Sequence, residues 1–217
     1  ADGDYETLVI NATGAASDLE AGDGLGADAT TIDVNASVAL DLGSTAAFEK
    51  ITSFDASDSA GGVTTVFGNK AAAGTTAVTI TGGAGADSFD ISALTAANHG
   101  ALTVAMGAGN DTFDLLTSEP VLVEGAEGPN TIDFGIPATT VSGGDGDDVI
   151  MLRPQNITVE GNDGNDTIVA VNAAGATIDG GAGNDMITVT NPATSGGEGD
   201  DIIDATQFDN GSVDGGA

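Results

Sequence analysis

The chain has 217 residues and carries 34 acidic side chains against three basic ones, Lys50, Lys70 and Arg153, for a formal charge of −31. That excess disfavours partners that need a basic patch, namely nucleic acid, anionic lipid and uronate polysaccharide. There is no cysteine, so no disulfide supports the fold, and no apolar run is long enough to span a bilayer. Abundant glycine and few aromatics suggest disorder, yet 40% hydrophobic residues argue for a chain that folds once its charge is neutralised. The sequence opens at Ala1 without a leader and stops within Gly215-Gly216-Ala217, so a segment of a longer protein is expected.

Residues 1–80 alternate like strands in Leu8-Val9-Ile10, Thr31-Ile32-Asp33-Val34, Val38-Ala39-Leu40-Asp41-Leu42 and Val78-Thr79-Ile80. They are expected to form irregular, motif-poor β-solenoid coils. Asp23-Gly24-Leu25-Gly26-Ala27-Asp28 reads as an Asp/Gly turn.

Residues 81–217 are organised by a repeat. Four stretches fit G-G-x-G-x-D-x-U-x, with U a large apolar residue, at every fixed position: Gly82–Asp90, Gly143–Met151, Gly180–Thr188 and Gly196–Asp204. Three more are imperfect. Met106 replaces the first glycine of Met106–Phe113, Asn162 the second of Gly161–Ile168, and Asn130 takes the aspartate slot of Gly125–Ile132. First positions fall at 82, 106, 125, 143, 161, 180 and 196, with a further start at 215. The step is close to two nonapeptides, with one longer excursion around Asn98-His99-Gly100. A repeat of this size signals a solenoid.

A parallel coil must bury the same column of side chains in every turn. After the loop the column reads Phe89, Phe113, Ile132, Ile150, Ile168, Ile187, Ile203, and two residues on it reads Ile91, Leu115, Phe134, Leu152, Ala170, Val189, Ala205. Before the loop it reads Ile80, Val104, Val123, Val141, Val159, Ile178, Thr194, Val213, broken only by Thr194. These columns predict an all-β fold, a right-handed parallel β-helix or β-roll solenoid with the loops along one edge.

Glycine at three of six loop positions lets the backbone turn its carbonyls inward, and the sixth-position carboxylate adds charge to that ring of oxygens. Calcium takes six to eight oxygen ligands from carboxylates and carbonyls in flexible geometry. Coils stacked about 4.8 Å apart can share one cation. Without it, two carboxylates about 4 Å apart repel by about 4 kcal/mol at an effective dielectric near 20. The simpler alternative is a stack of ordinary Gly/Asn/Asp turns without metal, which leaves the invariant offset of the aspartate unexplained.

The nonapeptide resembles that of the RTX (repeats-in-toxin) secreted bacterial proteins, whose repeats form calcium-loaded β-rolls. The resemblance implies roughly six calcium ions stacked between successive loops. It carries the carboxylates over to Asp87, Asp111, Asp148, Asp166, Asp185 and Asp201, with Asn130 in the same slot. Loop carbonyls at the first and third positions complete the implied set: Gly82 and Ala84, Met106 and Ala108, Gly125 and Glu127, Gly143 and Asp145, Gly161 and Asp163, Gly180 and Ala182, Gly196 and Glu198. Pro129 and Asn130 depart from the family's pattern and put the sites beside that loop in question. The turn opposite, as in Arg153-Pro154-Gln155-Asn156, lacks the motif, so calcium is expected along one edge only.

Catalysis needs an acid, base, nucleophile or electrophile gathered in a pocket. His99 is the one histidine and reads as an exposed loop residue, Tyr5 as packing or surface, and Arg153 as a solvated turn residue. No enzyme is expected. Ile51–Ser57 followed by Thr79–Ser88 resembles segments of calcium-dependent S-layer proteins of Gram-negative bacteria. That second resemblance implies a structural module of a secreted cell-surface protein, S-layer or S-layer-like, with self-association or neighbouring lattice subunits as partners. The alternative is the carboxy-terminal calcium module of a type I-secreted enzyme, or of a large RTX adhesin.

Overall fold

A computed structural model describes residues 7–15, 17–18, 29–45, 51–67, 77–91, 102–115, 121–124, 128, 130–134, 140–152, 157–170, 175–190, 193–205 and 212–216. Every regular element among the described residues is a β-strand. Packing divides the chain into two compact units, Ala1–Thr117 and Ser118–Ala217. The motif-poor stretch and the first two motif loops therefore share a unit.

The first unit contains β1 (Thr7–Ala12), β2 (Ser17–Asp18), β3 (Thr31–Ala36), β4 (Leu40–Thr45), β5 (Ser53–Asp55), β6 (Val63–Phe67), β7 (Val78–Thr81), β8 (Ser88–Asp90), β9 (Leu102–Ala105) and β10 (Thr112–Leu115). Odd strands pair side by side in one sheet and even strands in another. All of these pairings are parallel. Parallel neighbours need a crossover, and here the crossover is the strand of the other sheet, which makes each coil one turn of a solenoid. Coils are long and uneven, since Thr31 pairs with Ser53 and Ser53 in turn with Thr79. The register of β4 against β6 also shifts between Asp41 and Ser44.

Alternation places Ile32, Phe54, Ile80 and Val104 on one buried row of the first sheet, and Phe67, Phe89 and Phe113 inside the second. Phe54, Phe67 and Phe89 meet edge to face, with centroids 5.2, 5.7 and 6.2 Å apart, a geometry that adds to the area they bury. Ser59 is buried for a different reason: its hydroxyl donates to the Val34 carbonyl at 2.9 Å and accepts from the Ala36 N–H at 3.0 Å. It stitches the turn of one coil to the strand below.

The second unit contains β11 (Val121–Glu124), β12 (Thr131–Phe134), β13 (Thr140–Asp145), β14 (Val149–Leu152), β15 (Thr158–Asp163), β16 (Thr167–Ala170), β17 (Thr177–Ala182), β18 (Met186–Val189), β19 (Ala193–Glu198), β20 (Ile202–Ala205) and β21 (Ser212–Asp214). The same odd and even pairing recurs, again parallel throughout. Two of the columns read from sequence are ladder registers: Ile132–Ile150–Ile168–Ile187–Ile203 and Val123–Val141–Val159–Ile178–Thr194–Val213. Thr194 is buried like Ile178 before it, and its hydroxyl has no hydrogen-bond partner, whereas Val213, which ends the column, is exposed. The fold is an all-β parallel solenoid of the β-roll kind.

Candidate metal centre

Each motif loop ends one residue before a strand of the even sheet, which turns its sixth residue inward. Asn130, Asp148, Asp166 and Asp185 are each 1% exposed. Their backbone amides bind the next carboxylate in the stack: Asn130 N–H donates to Asp148 Oδ1 at 2.7 Å, Asp148 to Asp166 at 2.8 Å, Asp166 to Asp185 at 2.8 Å and Asp185 to Asp201 at 2.9 Å. In the first unit, Asp87 N–H donates to Asp111 Oδ1 at 2.8 Å. One oxygen of each carboxylate is thus committed to a ladder along the solenoid.

The second oxygen is not. Oδ2 of Asp148, Asp166, Asp185 and Asp201 is buried without a donor, a costly state for a carboxylate. In each case it lies over the first glycine of its own loop, and for Asp148, Asp166 and Asp185 it lies beside a carbonyl of the next. A β-carbon at Gly143 would run into Asp148 Oδ2 and approach the Gly161 carbonyl to 2.8 Å; at Gly161 it would meet Asp166 Oδ2 and the Gly180 carbonyl, and at Gly180, Asp185 Oδ2 and the Gly196 carbonyl. Carboxylate and carbonyl oxygens facing one space with no donor form the ligand chemistry of a hard cation. The residues fit calcium.

Burial also raises these acids. Desolvation pushes Asp111 and Asp166 up to about 7 and Asp148 to about 6, opposed in each by the backbone N–H bound to the carboxylate and reinforced by neighbouring carboxylates. Asp87 and Asp185 are raised for the same leading reason. Among the described residues, no three His, Cys, Asp or Glu side chains cluster as a side-chain metal site. This donor set instead takes one carboxylate per loop and completes itself from the backbone.

First-position carbonyls lie beside the bare oxygens, and third-position carbonyls also take part in a backbone ladder between loops. Third-position carbonyls of Asp145, Asp163, Ala182 and Glu198 accept the fourth-position N–H of the loop before, at 2.6, 2.6, 2.8 and 2.7 Å. Side chains of Asp145, Asp163 and Glu198 face outward. Second- and fourth-position carbonyls, which the sequence reading passed over, face the following coil: a β-carbon at Gly181 would strike the Asn162 carbonyl, and at Gly183 the Gly164 carbonyl. The signal was present in the glycines themselves. Gly181 and Gly183 have φ of 105° and 133°, a region closed to most side chains. Asn162, the departure at a second position, adopts φ 79° and anchors its amide Nδ2 on Ser142 Oγ at 2.8 Å.

A further ladder on the surface was also passed over. Fifth-position side chains relay along the loops: Asp147 Oδ1 accepts from Asn165 N–H at 2.7 Å, Asn165 Oδ1 from Asn184 N–H at 2.8 Å and Asn184 Oδ1 from Asp200 N–H at 2.9 Å. Asx residues at every one of these positions were its signature.

In the first unit the two loops diverge. Met106 is fully buried where other loops carry glycine, and Gly107 and Gly109 adopt φ of 82° and 142°, as the loop pattern requires. Gly82, Gly83 and Gly85 do not enter the positive-φ region, despite a faultless motif. Gly125 and Glu127 lie outside the described residues, as do Tyr5, His99, Arg153 and the turn at 23–28. No helix of the described residues is long and apolar enough to cross a membrane.

Compared with models of protein families, the chain matches the RTX calcium-binding nonapeptide repeat (4 copies) over residues 65–90, 139–156, 158–170, 177–189 and 195–210. No curated protein and no solved structure matches it. The matched segments pass over the loops with Met106 and Asn130. Repeat, fold and donor set agree: the chain carries an RTX calcium-binding module, of the kind typical of secreted bacterial proteins.

Proposed function

We propose that this chain is a structural, non-catalytic module of a secreted bacterial cell-surface protein, S-layer or S-layer-like, in which calcium drives folding and rigidity. The observation that carries the calcium dependence is the row of buried, donorless Oδ2 atoms at Asp148, Asp166, Asp185 and Asp201. Calcium bound there supplies positive charge to a row of carboxylates that otherwise raises the energy of the folded state. The chain's own part is to hold each carboxylate by its ladder N–H and to aim the loop carbonyls at the neighbouring coil. Binding only to the folded state couples affinity to stability, and extracellular calcium modules bind at about 10⁻⁴ to 10⁻³ M, so calcium at that level favours the folded state of the loops it binds. A surface role is favoured by solenoid coils in both units and by a sequence without a catalytic constellation.

The test is a calcium titration followed by far-UV circular dichroism, with light scattering and electron microscopy on the same samples. Cooperative gain of β-signal with ordered sheets or fibres supports the surface-layer reading. Folding into a permanent monomer moves the assignment to a passive module of a secreted enzyme or adhesin, and indifference to calcium overturns the metal-dependent function altogether.

A further inference from the structure

Calcium is demanded where two oxygens face one space without a donor, and at two motif loops a donor is already there. Asp87 Oδ2 accepts the Gly83 N–H at 2.7 Å, and its Oδ1 accepts the Val63 N–H at 2.7 Å. Both oxygens of the carboxylate are therefore satisfied by backbone amides, in contrast to Asp148, Asp166, Asp185 and Asp201. Asn130 reaches the same end by another route. Its Nδ2 donates to the Gly143 carbonyl at 3.2 Å, the first-position carbonyl that in later loops shares its space with a bare carboxylate oxygen.

The reason for the first departure lies in what the loop stacks on. Below Gly82–Asp87 there is no motif loop but the turn from Ala56 to Gly62. Ala84 N–H donates to the Ser59 carbonyl at 2.7 Å, and Ala56 N–H to the Thr81 carbonyl at 2.8 Å. A β-carbon at Gly83 would strike the Ser59 carbonyl and one at Gly85 the Gly62 nitrogen. The loop is drawn flat onto this turn, which aims the Gly83 amide at Asp87 and keeps the glycines out of the positive-φ conformation. The next loop is then built on it, with Ala108 N–H on the Gly83 carbonyl and Thr112 N–H on the Asp87 carbonyl, each at 2.8 Å.

We propose that Asp87 and Asn130 close their own loops without calcium: hydrogen bonds occupy the positions where the other loops need a cation. This rests on the calcium reading above for the remaining loops. It makes Asp87 a metal-independent latch beside the three-phenylalanine cluster, and Asn130 a deliberate gap in the cation row.

The experiment is calcium stoichiometry of the full chain, by equilibrium dialysis and titration calorimetry with calcium alone, in the wild type and in Asn130→Asp, Asp87→Asn and Asp166→Asn. Asn130→Asp replaces the donor with a second oxygen and is expected to add one ion; Asp87→Asn keeps the wild-type count; Asp166→Asn loses at least one. An unchanged count in Asn130→Asp, or fewer ions in a folded Asp87→Asn, overturns the proposal. Because Asp87→Asn removes an acceptor and can unfold the coil, amide exchange of the wild-type chain in chelator provides the second arm. Val63 and Gly83 amides are expected to stay protected there, and their exchange at the rate of an open chain would sink the latch. A wild type that binds no calcium overturns the proposed function instead, and leaves the exchange result to judge Asp87 by itself.

Discussion

The two units wind the same kind of coil but fill it by different means. In the first, a coil takes in the long stretches from Thr31 to Ser53 and from Ser53 to Thr79, and the interior is wide enough for Phe54, Phe67 and Phe89 to pack edge to face. In the second, the chain comes round sooner, as from Thr140 to Thr158 and from Thr177 to Ala193. Its interior is a thin column of isoleucine and valine, with a row of carboxylates beneath the loops. A wide coil buries enough apolar surface to stand on the hydrophobic effect. Buried carboxylates occur in both units, Asp87 and Asp111 in the first and Asp148, Asp166 and Asp185 in the second, so the two differ in the apolar filling around them. Coil length, set by the amount of chain between loops, goes with how the interior is filled; that the first half leans less on metal is the expectation the following variants test.

The comparison is broken most severely by removing the aromatic filling. Phe54→Ala is expected to destabilise the first unit by about 3–5 kcal/mol, equally with calcium and with chelator, as read by denaturant unfolding. A loss that appears only in chelator would mean the first unit also leans on metal. Next is Gly183→Ala, which forces a β-carbon into the Gly164 carbonyl at a φ of 133°. It should destabilise the second unit by about 2–4 kcal/mol and raise the calcium midpoint, leaving exchange protection of the first unit unaltered.

Acidity sharpens the contrast without a mutation. Asp148 and Asp166 have folded values of about 6 and 7, above the ordinary 3.8. A raised carboxyl contributes stability that is present below the unfolded value and lost as pH rises through the folded one. In chelator, therefore, the second unit should gain stability as pH is lowered from 8 towards 4, followed by circular dichroism melts. In calcium the sign reverses, because protons compete for the same oxygens: affinity should weaken below about pH 7. A chelated chain whose melting point falls on acidification would contradict this arrangement of buried acids. The smallest effect is Thr194→Val, which removes a buried, unpartnered hydroxyl from the valine column and should stabilise the second unit by about 1 kcal/mol.

Much of this was legible in the residues. Ile132, Ile150, Ile168, Ile187 and Ile203 could be aligned from sequence because alternation fixes the face and a nearly constant step fixes the row. The buried aspartate column followed from the invariant offset. What escaped was hydrogen bonding between coils. Third-position carbonyls look free in a single loop, and only stacking shows them accepting the N–H of Gly128, Gly146, Gly164 and Gly183. The relay from Asp147 through Asn165 and Asn184 to Asp200 was equally invisible as a bond, though its Asx residues were in plain sight.

The sequence by itself determined the class of fold, the period, the inward columns and the Asp or Asn at the sixth position of each loop, because each follows from local alternation and repeat spacing. Tertiary structure alone decided which faultless motif takes the positive-φ loop conformation. Gly82–Asp87 and Gly180–Thr188 carry the same pattern, yet Gly83 and Gly85 avoid the positive-φ region that Gly181 and Gly183 occupy. The physical reason is the partner beneath: one lies on the turn from Ala56 to Gly62, and both oxygens of its aspartate accept backbone amides, whereas the other lies on a motif loop whose Asp166 amide reaches only Oδ1 of Asp185 and leaves Oδ2 without a donor.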